Sequence, residues 1–140
     1  MNYWLIKTEP GTWSFDDQLK APKQTTTWDG VRNYQANNYM KDMAKGDKAF
    51  FYHSVNEKQI VGTVKVVKEH EPDPSDKTGK GFGMVTVQAV EAVNAPVTLT
   101  DIKAQAKLKD MVLVKNSRLS VQPVTGAEWK QVCKMAGLKP

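Results

Sequence analysis

Two of the four tryptophans stand in polar, turn-like segments, where a large indole has little packing reason to be. Trp13 and Trp28 are each flanked by Ser, Thr, Asp or Gly, whereas Trp4 and Trp129 lie among apolar neighbours typical of a core. An indole stacks on the face of any base, and one such contact contributes about 1–3 kcal/mol in single-strand binders. Two interpretations of Trp28 stay open, a wall of a base-binding pocket or a plug at the end of a barrel. For Trp13 the structural role is favoured.

Three residues that can read the edge of a base follow Trp28 closely. Arg32 supplies a fixed cation for the nucleic-acid backbone, Asn33 an amide that both donates and accepts, and Tyr34 a second ring. Asn33 has an equally good alternative role as the cap of the helix it precedes. The segment therefore predicts either a polar pocket edge or an ordinary helix start.

Polar groups at two other strand ends are placed to line the mouth of the same barrel. His53 and Ser54 end one predicted strand, and Ser117, Arg118, Leu119 and Ser120 lie near the start of another. The alternatives are a histidine exposed on a hairpin and an ordinary surface Ser-Arg pair.

Templates for catalysis are missing from the chain. There is no phosphate-binding loop, no nucleophile elbow and no zinc-type Cys/His spacing, and only His53 and His70 supply imidazoles. The acids at 16, 17, 29, 73 and 76 do not show the clustering that a metal nuclease needs. We expect a binding module with no catalytic residue, no cofactor and no metal.

Length and charge set the broad class. The 140 residues fit one domain spanning 1–140, with 40% hydrophobic and 25% charged residues, as in ordinary globular proteins. A net charge of +5 and a pI near 9.3 permit an anionic partner, of which nucleic acid is the first candidate. The single cysteine, Cys133, indicates a reducing compartment, and no signal or membrane-spanning segment is visible. We expect a cytoplasmic monomer, nucleoid-associated in a bacterium or nuclear in a eukaryote.

The strand pattern predicts most of a small barrel. Tyr3 to Lys7 forms a first strand, and Ala49 to Ser54 with Ile60 to Glu69 form a hairpin. Phe82 to Val93 continues the sheet after a loop over 71–81, which its prolines and glycines predict to be exposed and mobile. Met111 to Val114 predicts a short buried strand, and Ser117 to Val124 an extended segment.

Four helices complete the pattern. Ser14 and Asp17 cap a short helix over 15–20, and the apolar spacing from Asn33 to Met43 predicts a second. A third covers 98–106, and the last is bounded by the capping box of Thr125 and Glu128 and by Gly137. Five or six strands interrupted by short helices favour a mixed α+β barrel.

The motifs in order resemble the EVE domain over nearly the whole chain. They run from Asn2-Tyr3-Trp4-Leu5-Ile6-Lys7-Thr8-Glu9-Pro10 through Trp13-Ser14 to Trp28-Asp29-Gly30-Val31-Arg32-Asn33-Tyr34-Gln35-Ala36. Later matches are Gly46-Asp47, Phe51-Tyr52-His53-Ser54, Ile60-Val61-Gly62, Pro96-Val97-Thr98-Leu99 and Ser117-Arg118-Leu119-Ser120-Val121-Gln122-Pro123-Val124. Two positions depart from the family's usual pattern: Asn37 replaces an Arg, and Phe82 stands near where a Trp is common.

The resemblance implies a PUA-like fold of five to six strands, related to the PUA and YTH domains, with short helices around it. It further implies recognition of a modified base, such as a methylated or hydroxymethylated cytosine, in DNA or RNA. Trp28 would form one wall of an aromatic pocket. Around it would stand Lys7, Pro10, Trp13, Asn33, Tyr34, His53, Ser54, Phe82 and the residues Ser117, Arg118, Leu119 and Ser120.

The leading hypothesis is that a flipped or single-stranded base inserts between Trp28 and a second ring, while Lys7, Arg32 and Arg118 hold the backbone. One alternative is an RNA-binding accessory factor of PUA type that has no preference for modified bases. Another is an enzyme acting on nucleic acid with Asp29 or His53 as base.

Overall fold

The computed structural model describes residues 1–140 as one mixed six-stranded sheet with helices on its faces. The α+β class is confirmed. The strands are β1 (Tyr3–Thr8), β2 (Thr25–Trp28), β3 (Lys48–His53), β4 (Gln59–Pro72), β5 (Gly83–Thr98) and β6 (Val121–Val124). The α-helices are α1 (Phe15–Lys20), α2 (Tyr34–Asp42), α3 (Leu99–Ala104), α4 (Val112–Lys115) and α5 (Gly126–Ala136), and short 3₁₀ turns occupy Pro22–Gln24 and Ala106–Leu108.

The sheet is not closed into a barrel. Its strand order is β2-β5-β4-β3-β1-β6, with β1 parallel to β3 and all other neighbours antiparallel. The edge strands β2 and β6 have only four residues each and share no hydrogen bonds with one another. Closure requires continuous pairing around the ring, so the barrel that the sequence predicted is an open, curved sheet.

Side-chain alternation along the strands builds one core on each face. In β1, Trp4 and Ile6 belong to an inner cluster while Leu5 belongs to an outer one; in β3, Phe51 and Phe50 divide in the same way. The inner cluster draws on all six strands and on α1 and α2, and its other buried members are Phe15, Trp28, Val31, Ala36, Met40, Met43, Ala49, Val64, Val66, Val85, Val87, Ala89, Leu119 and Val121. The outer cluster lies under α3, α4 and α5.

Helix caps follow the sequence closely. The capping boxes of Ser14 with Asp17 and Thr125 with Glu128 are both formed, and Gly137 ends α5 in the left-handed region at φ 75°. Asn33 caps α2, since its side chain accepts a hydrogen bond from the Ala36 amide.

Three local predictions were wrong. Met111 to Val114 is not a strand, because 112–115 winds into α4, whose last amides bond to the carbonyls of Met111 and Val112 while Leu113 enters the outer cluster. The extended segment over 117–124 shortens to Val121–Val124. The polar segment around Trp28, which the sequence predicted to be turn-like, begins with the strand β2 (Thr25–Trp28), which pairs with β5.

The loop over 71–81 is held by its own acids. Asp73 is buried and accepts hydrogen bonds from Ser75, while Asp76 accepts from Thr78 and from the Phe82 amide. These bonds tie both ends of the loop, most of whose residues are exposed, as its composition predicted.

Candidate functional site

A hollow of about 480 Å³ opens between the two edges of the sheet. Four parts of the chain meet there: the end of β1, the turn after it, β2 and the segment before β6. The hollow therefore lies where the edges β2 and β6 remain unpaired. The lining residues are Lys7, Thr8, Thr12, Trp13, Thr26, Thr27, Trp28, Asp29, Gly30, Val31, Arg32 and Ser120.

Trp28 serves both the core and the hollow. It is only 8% exposed and belongs to the inner cluster, where its ring meets Phe51 edge to face at 5.5 Å between centroids. It also borders the hollow. The two interpretations that the sequence left open therefore apply together, because a buried indole can present one part of its surface to a cavity while packing with the rest.

Trp13 forms a second aromatic part of the lining and is partly exposed. Its ring Nε1 donates to Gln18 Oε1 at 2.9 Å, and its carbonyl accepts from the Thr8 hydroxyl at 3.0 Å. Since Gln18 is itself fully buried, these bonds hold the indole in one orientation, in which it packs against the inner cluster and keeps part of its surface exposed.

The packing of α1 against the sheet positions Trp13, which lies two residues before this helix. The Phe15 ring lies directly over Gly62 of β4, where any Cβ would overlap it. The Phe15 amide donates to His53 Nε2 at 3.0 Å, and His53 Nδ1 lies 2.8 Å from Glu57 Oε1. Both ring nitrogens of His53 are thus occupied in supporting α1, and His53 lies outside the hollow.

Lys7 is one of the two cations among the lining residues. Its amide donates to the Ser120 carbonyl at 2.9 Å, its ammonium donates to the Ser117 carbonyl, and the same ammonium lies 5.5 Å from the Tyr52 ring centroid. Burial lowers the pKa of Lys7, because desolvation disfavours the charged form. The 117–120 segment thus meets the hollow through Ser120 and orients Lys7 through Ser117.

Arg32 is tied back into the protein. Its guanidinium donates to Asp73 at 3.1 Å and to the Ser75 hydroxyl at 2.9 Å, and Asp73 also accepts from the Gly30 amide at 2.9 Å. Burial opposes ionisation of Asp73, but the hydrogen bonds from Ser75, Gly30 and Arg32 outweigh it and hold the pKa of this carboxyl well below its usual range. Asp73 therefore holds Gly30 and Arg32 in place, and these two lining residues form the lip of the hollow.

Several predicted site residues lie beyond the lining. The side-chain oxygen of Asn33 caps α2, because it accepts a hydrogen bond from the Ala36 amide. Tyr34 is 58% exposed and contacts Phe82 at 5.1 Å between centroids, while Phe82 is buried and meets Arg32 at 5.7 Å. The rings of Tyr34 and Phe82 thus stand outside the hollow, because Tyr34, at the start of α2, packs against Phe82 at the end of the 73–82 loop.

The remaining predictions divide in the same way. Pro10 is half-buried in the turn after β1, and the Ser54 amide pairs with the Thr8 carbonyl. Arg118 is exposed, while Leu119 is buried in the inner cluster. Of the predicted residues, the structure brings together at the hollow Lys7, Trp13, Trp28, Arg32 and Ser120.

The hydroxyl side of the hollow was missed by sequence reasoning. Thr8, Thr12, Thr26 and Thr27 line it, together with Asp29. The run of threonines before Trp28 is typical of a strand, and which of its side chains face a ligand depends on the pairing of β2 with β5. No cluster of three or more potential metal ligands forms anywhere in the chain, and none of the helices has the length and apolar character required to cross a bilayer.

An open PUA-like sheet with a polar, tryptophan-lined hollow at its unpaired edges defines the class of this protein. The EVE domain family matches residues 2–135, and the chain belongs to that family. Human thymocyte nuclear protein 1 is 37% identical over 170 aligned residues, covering 99% of this chain and 76% of the relative.

Solved structures agree with this assignment. A protein from Agrobacterium tumefaciens is 46% identical with a TM-score of 0.95, covering 99% of this chain and 94% of its own. The human THYN1 protein in complex with 5-methylcytosine-containing DNA is 38% identical with a TM-score of 0.90 and full coverage, 100%, of both chains. The Mmi1 YTH domain, at 12% identity and a TM-score of 0.58 over 97% of this chain and 88% of its own, shares the fold alone.

Proposed function

We propose that the protein binds nucleic acid by taking a single base into the hollow at the sheet edges, and that it is a binding module and not an enzyme. The observation that carries the proposal is the joint presence of Trp13 and Trp28 in the lining of one polar-rimmed cavity. Two indoles facing a common space offer stacking surfaces for a flat ring.

The base would have to leave its stack in a duplex or come from a single strand. Unstacking and unpairing cost a few kcal/mol, whereas each aromatic stacking contact returns about 1–3 kcal/mol. Trp13 and Trp28 together can therefore offset the cost. The second ring of the earlier hypothesis is thus assigned to Trp13, because Tyr34 and Phe82 lie outside the lining.

A methylated cytosine is the first candidate for the base. The human relative has been solved with 5-methylcytosine-containing DNA, and the hollow has an aliphatic component in Val31 beside its two indoles. Burial of one methyl group contributes about 0.8 kcal/mol, so preference for the methylated base over cytosine should be several-fold. Lys7 is also in the lining, and beyond its bond to the Ser117 carbonyl its ammonium keeps two donors for a phosphate or a base acceptor.

The histidines support a binding role. His53 uses both ring nitrogens on Phe15 and Glu57, and His70 Nε2 pairs with Asn37 Oδ1 at 2.9 Å. Neither imidazole is left in the hollow as a general base. A monomer and, in a eukaryotic cell, a nuclear location are part of the same proposal.

The test is a titration of short DNA and RNA strands carrying cytosine or 5-methylcytosine, followed by tryptophan fluorescence. Trp13→Ala should weaken binding of the preferred strand by about tenfold or more, since a stacking contact is lost. Tyr39→Ala is the matched control, because this half-buried ring packs against Trp4 away from the hollow.

Trp28 requires a milder change because it belongs to the core. Trp28→Phe should keep the fold and lower affinity. Weak affinities that are equal for all strands, or equal losses in the Trp13 and Tyr39 variants, would contradict base recognition in the hollow.

A further inference from the structure

Asp29 is the only carboxylate among the lining residues of the hollow. It is exposed, and none of the four ion pairs of the chain includes it. The nearby donors, the Gly30 amide and the Arg32 guanidinium, bond to Asp73 instead. Asp29 therefore carries an uncompensated negative charge at the proposed base site.

The backbone on both sides of Asp29 is held in place. Trp28, before it, ends β2 opposite Val85 of β5 and is buried. Gly30, after it, adopts φ 76° and is fixed by its bond to Asp73. The backbone of Asp29 is thus fixed beside the indole that would stack on the base, and its exposed carboxylate is free to accept a hydrogen bond from a ligand.

A fixed carboxylate repels the phosphates of any nucleic acid, so it lowers affinity unless it meets a proton donor of the ligand. The donors a base offers are its ring N–H and exocyclic amino groups, and Asp or Glu accepting from the cytosine amino group is an established pairing. Neither cation of the lining forms an ion pair with Asp29, since the Lys7 ammonium donates to the Ser117 carbonyl and the Arg32 guanidinium pairs with Asp73.

We propose, resting on the base-binding function above, that Asp29 is a specificity-determining residue that accepts a hydrogen bond from the exocyclic amino group of the inserted base. It selects cytosine and its 5-substituted forms against thymine and uracil. Thymine has the same 5-methyl group and nearly the same shape as 5-methylcytosine, but it places a carbonyl oxygen where the amino group would be. Two acceptors facing each other without a shared proton are repulsive.

The experiment compares four otherwise identical single strands, with 5-methylcytosine, thymine, guanine or an abasic site at the central position. Wild-type protein should bind the 5-methylcytosine strand at least tenfold more tightly than the thymine strand. Asp29→Asn keeps the size of the side chain and can donate to the thymine carbonyl, so the ratio should fall toward one. Asp29→Ala should weaken the 5-methylcytosine complex and tighten the thymine complex, because it removes the acceptor that faces the thymine carbonyl.

Asp16→Asn is the control for net charge, because Asp16 is exposed on α1 and outside the lining. Equal effects of Asp29→Asn and Asp16→Asn on all strands overturn the assignment of Asp29 and leave base binding intact. A wild-type preference for guanine over 5-methylcytosine also overturns it. Wild-type protein that binds all three bases no better than the abasic strand overturns the proposed function itself.

Discussion

Asp73→Asn should destabilise the lip of the hollow more than any change at an exposed acid. Asp73 Oδ2 accepts from the Gly30 amide at 2.9 Å and from Arg32 at 3.1 Å, and Oδ1 accepts from the Ser75 amide at 2.8 Å and its hydroxyl at 2.7 Å. An asparagine in the same place turns an amide NH₂ toward one pair of donors. The two hydrogen bonds that the replaced oxygen accepted are then lost, and their two donors face the N–H groups of the asparagine amide.

A hydrogen bond to a charged group has a net value of about 1.5–3 kcal/mol. We take the lower value, because the Arg32 side chain is 34% exposed and its pairing is screened by solvent. The loss of two bonds then lowers the free energy of unfolding by about 3 kcal/mol, which for a protein near this size corresponds to a fall in melting temperature of about 6–12 °C.

Thermal unfolding followed by circular dichroism measures this fall. Asp110→Asn is the control, since Asp110 pairs with Lys115 at 3.2 Å with the two side chains 68% and 63% exposed, and its loss should cost less than about 1 kcal/mol. The depressed pKa of Asp73 also sets the pH dependence. Its stabilisation is present above the unfolded-state pKa, about 4, and is lost as pH falls toward the folded-state value. The difference between wild type and Asp73→Asn should therefore shrink below about pH 4. Equal melting temperatures at pH 7, or a difference that persists unchanged to pH 2, would refute this role of Asp73.

Two further substitutions and one reactivity measurement test other parts of the structure. Gly62→Ala would place a Cβ 2.3 Å from Phe15 Cζ, so chemical denaturation should show a loss of about 1–3 kcal/mol; an unchanged midpoint would mean that α1 docks elsewhere. Burial raises the pKa of Cys133 to about 11, so at pH 8 the folded protein should react with a thiol reagent far more slowly than the unfolded protein, and rapid reaction of the native state would contradict that burial. Lys7→Gln should weaken oligonucleotide binding several-fold and reduce the salt dependence by about one unit of slope, and an unchanged slope would place Lys7 away from phosphate.

Local signals predicted the elements well where they were complete within a few residues. The capping boxes at Ser14 and Thr125, and the glycine stop at Gly137, depend on contacts three or four residues apart, and all are present. The prediction of a strand at 111–114 was wrong, because a short apolar run fits a strand or a helical turn equally well. Packing against the outer cluster decided between the two.

The sequence indicated the types of side chain in the candidate site better than the particular residues that line it. The polar neighbours of Trp13 and Trp28 are visible in the chain itself, and both indoles line the candidate hollow. Tyr34 and Asn33, adjacent to Arg32 in sequence, were grouped with it, but the start of α2 at Tyr34 turns them to a different surface. Thr12 was overlooked, because nothing in its local sequence separates it from a surface residue.

The ordered motifs of the sequence resemble the EVE domain, and residue types and spacing by themselves indicated the α+β class, the helix ends and an indole in a polar setting at position 28. These properties reside in single side chains or in contacts between near neighbours along the chain. The long-range pairings decided the rest: the open gap between β2 and β6, the capture of Gly30 and Arg32 by Asp73, and the isolation of Asp29 from any partner. Each of these features depends on residues that lie tens of positions apart in the chain, and no local pattern specifies which of them the strand order places near one another.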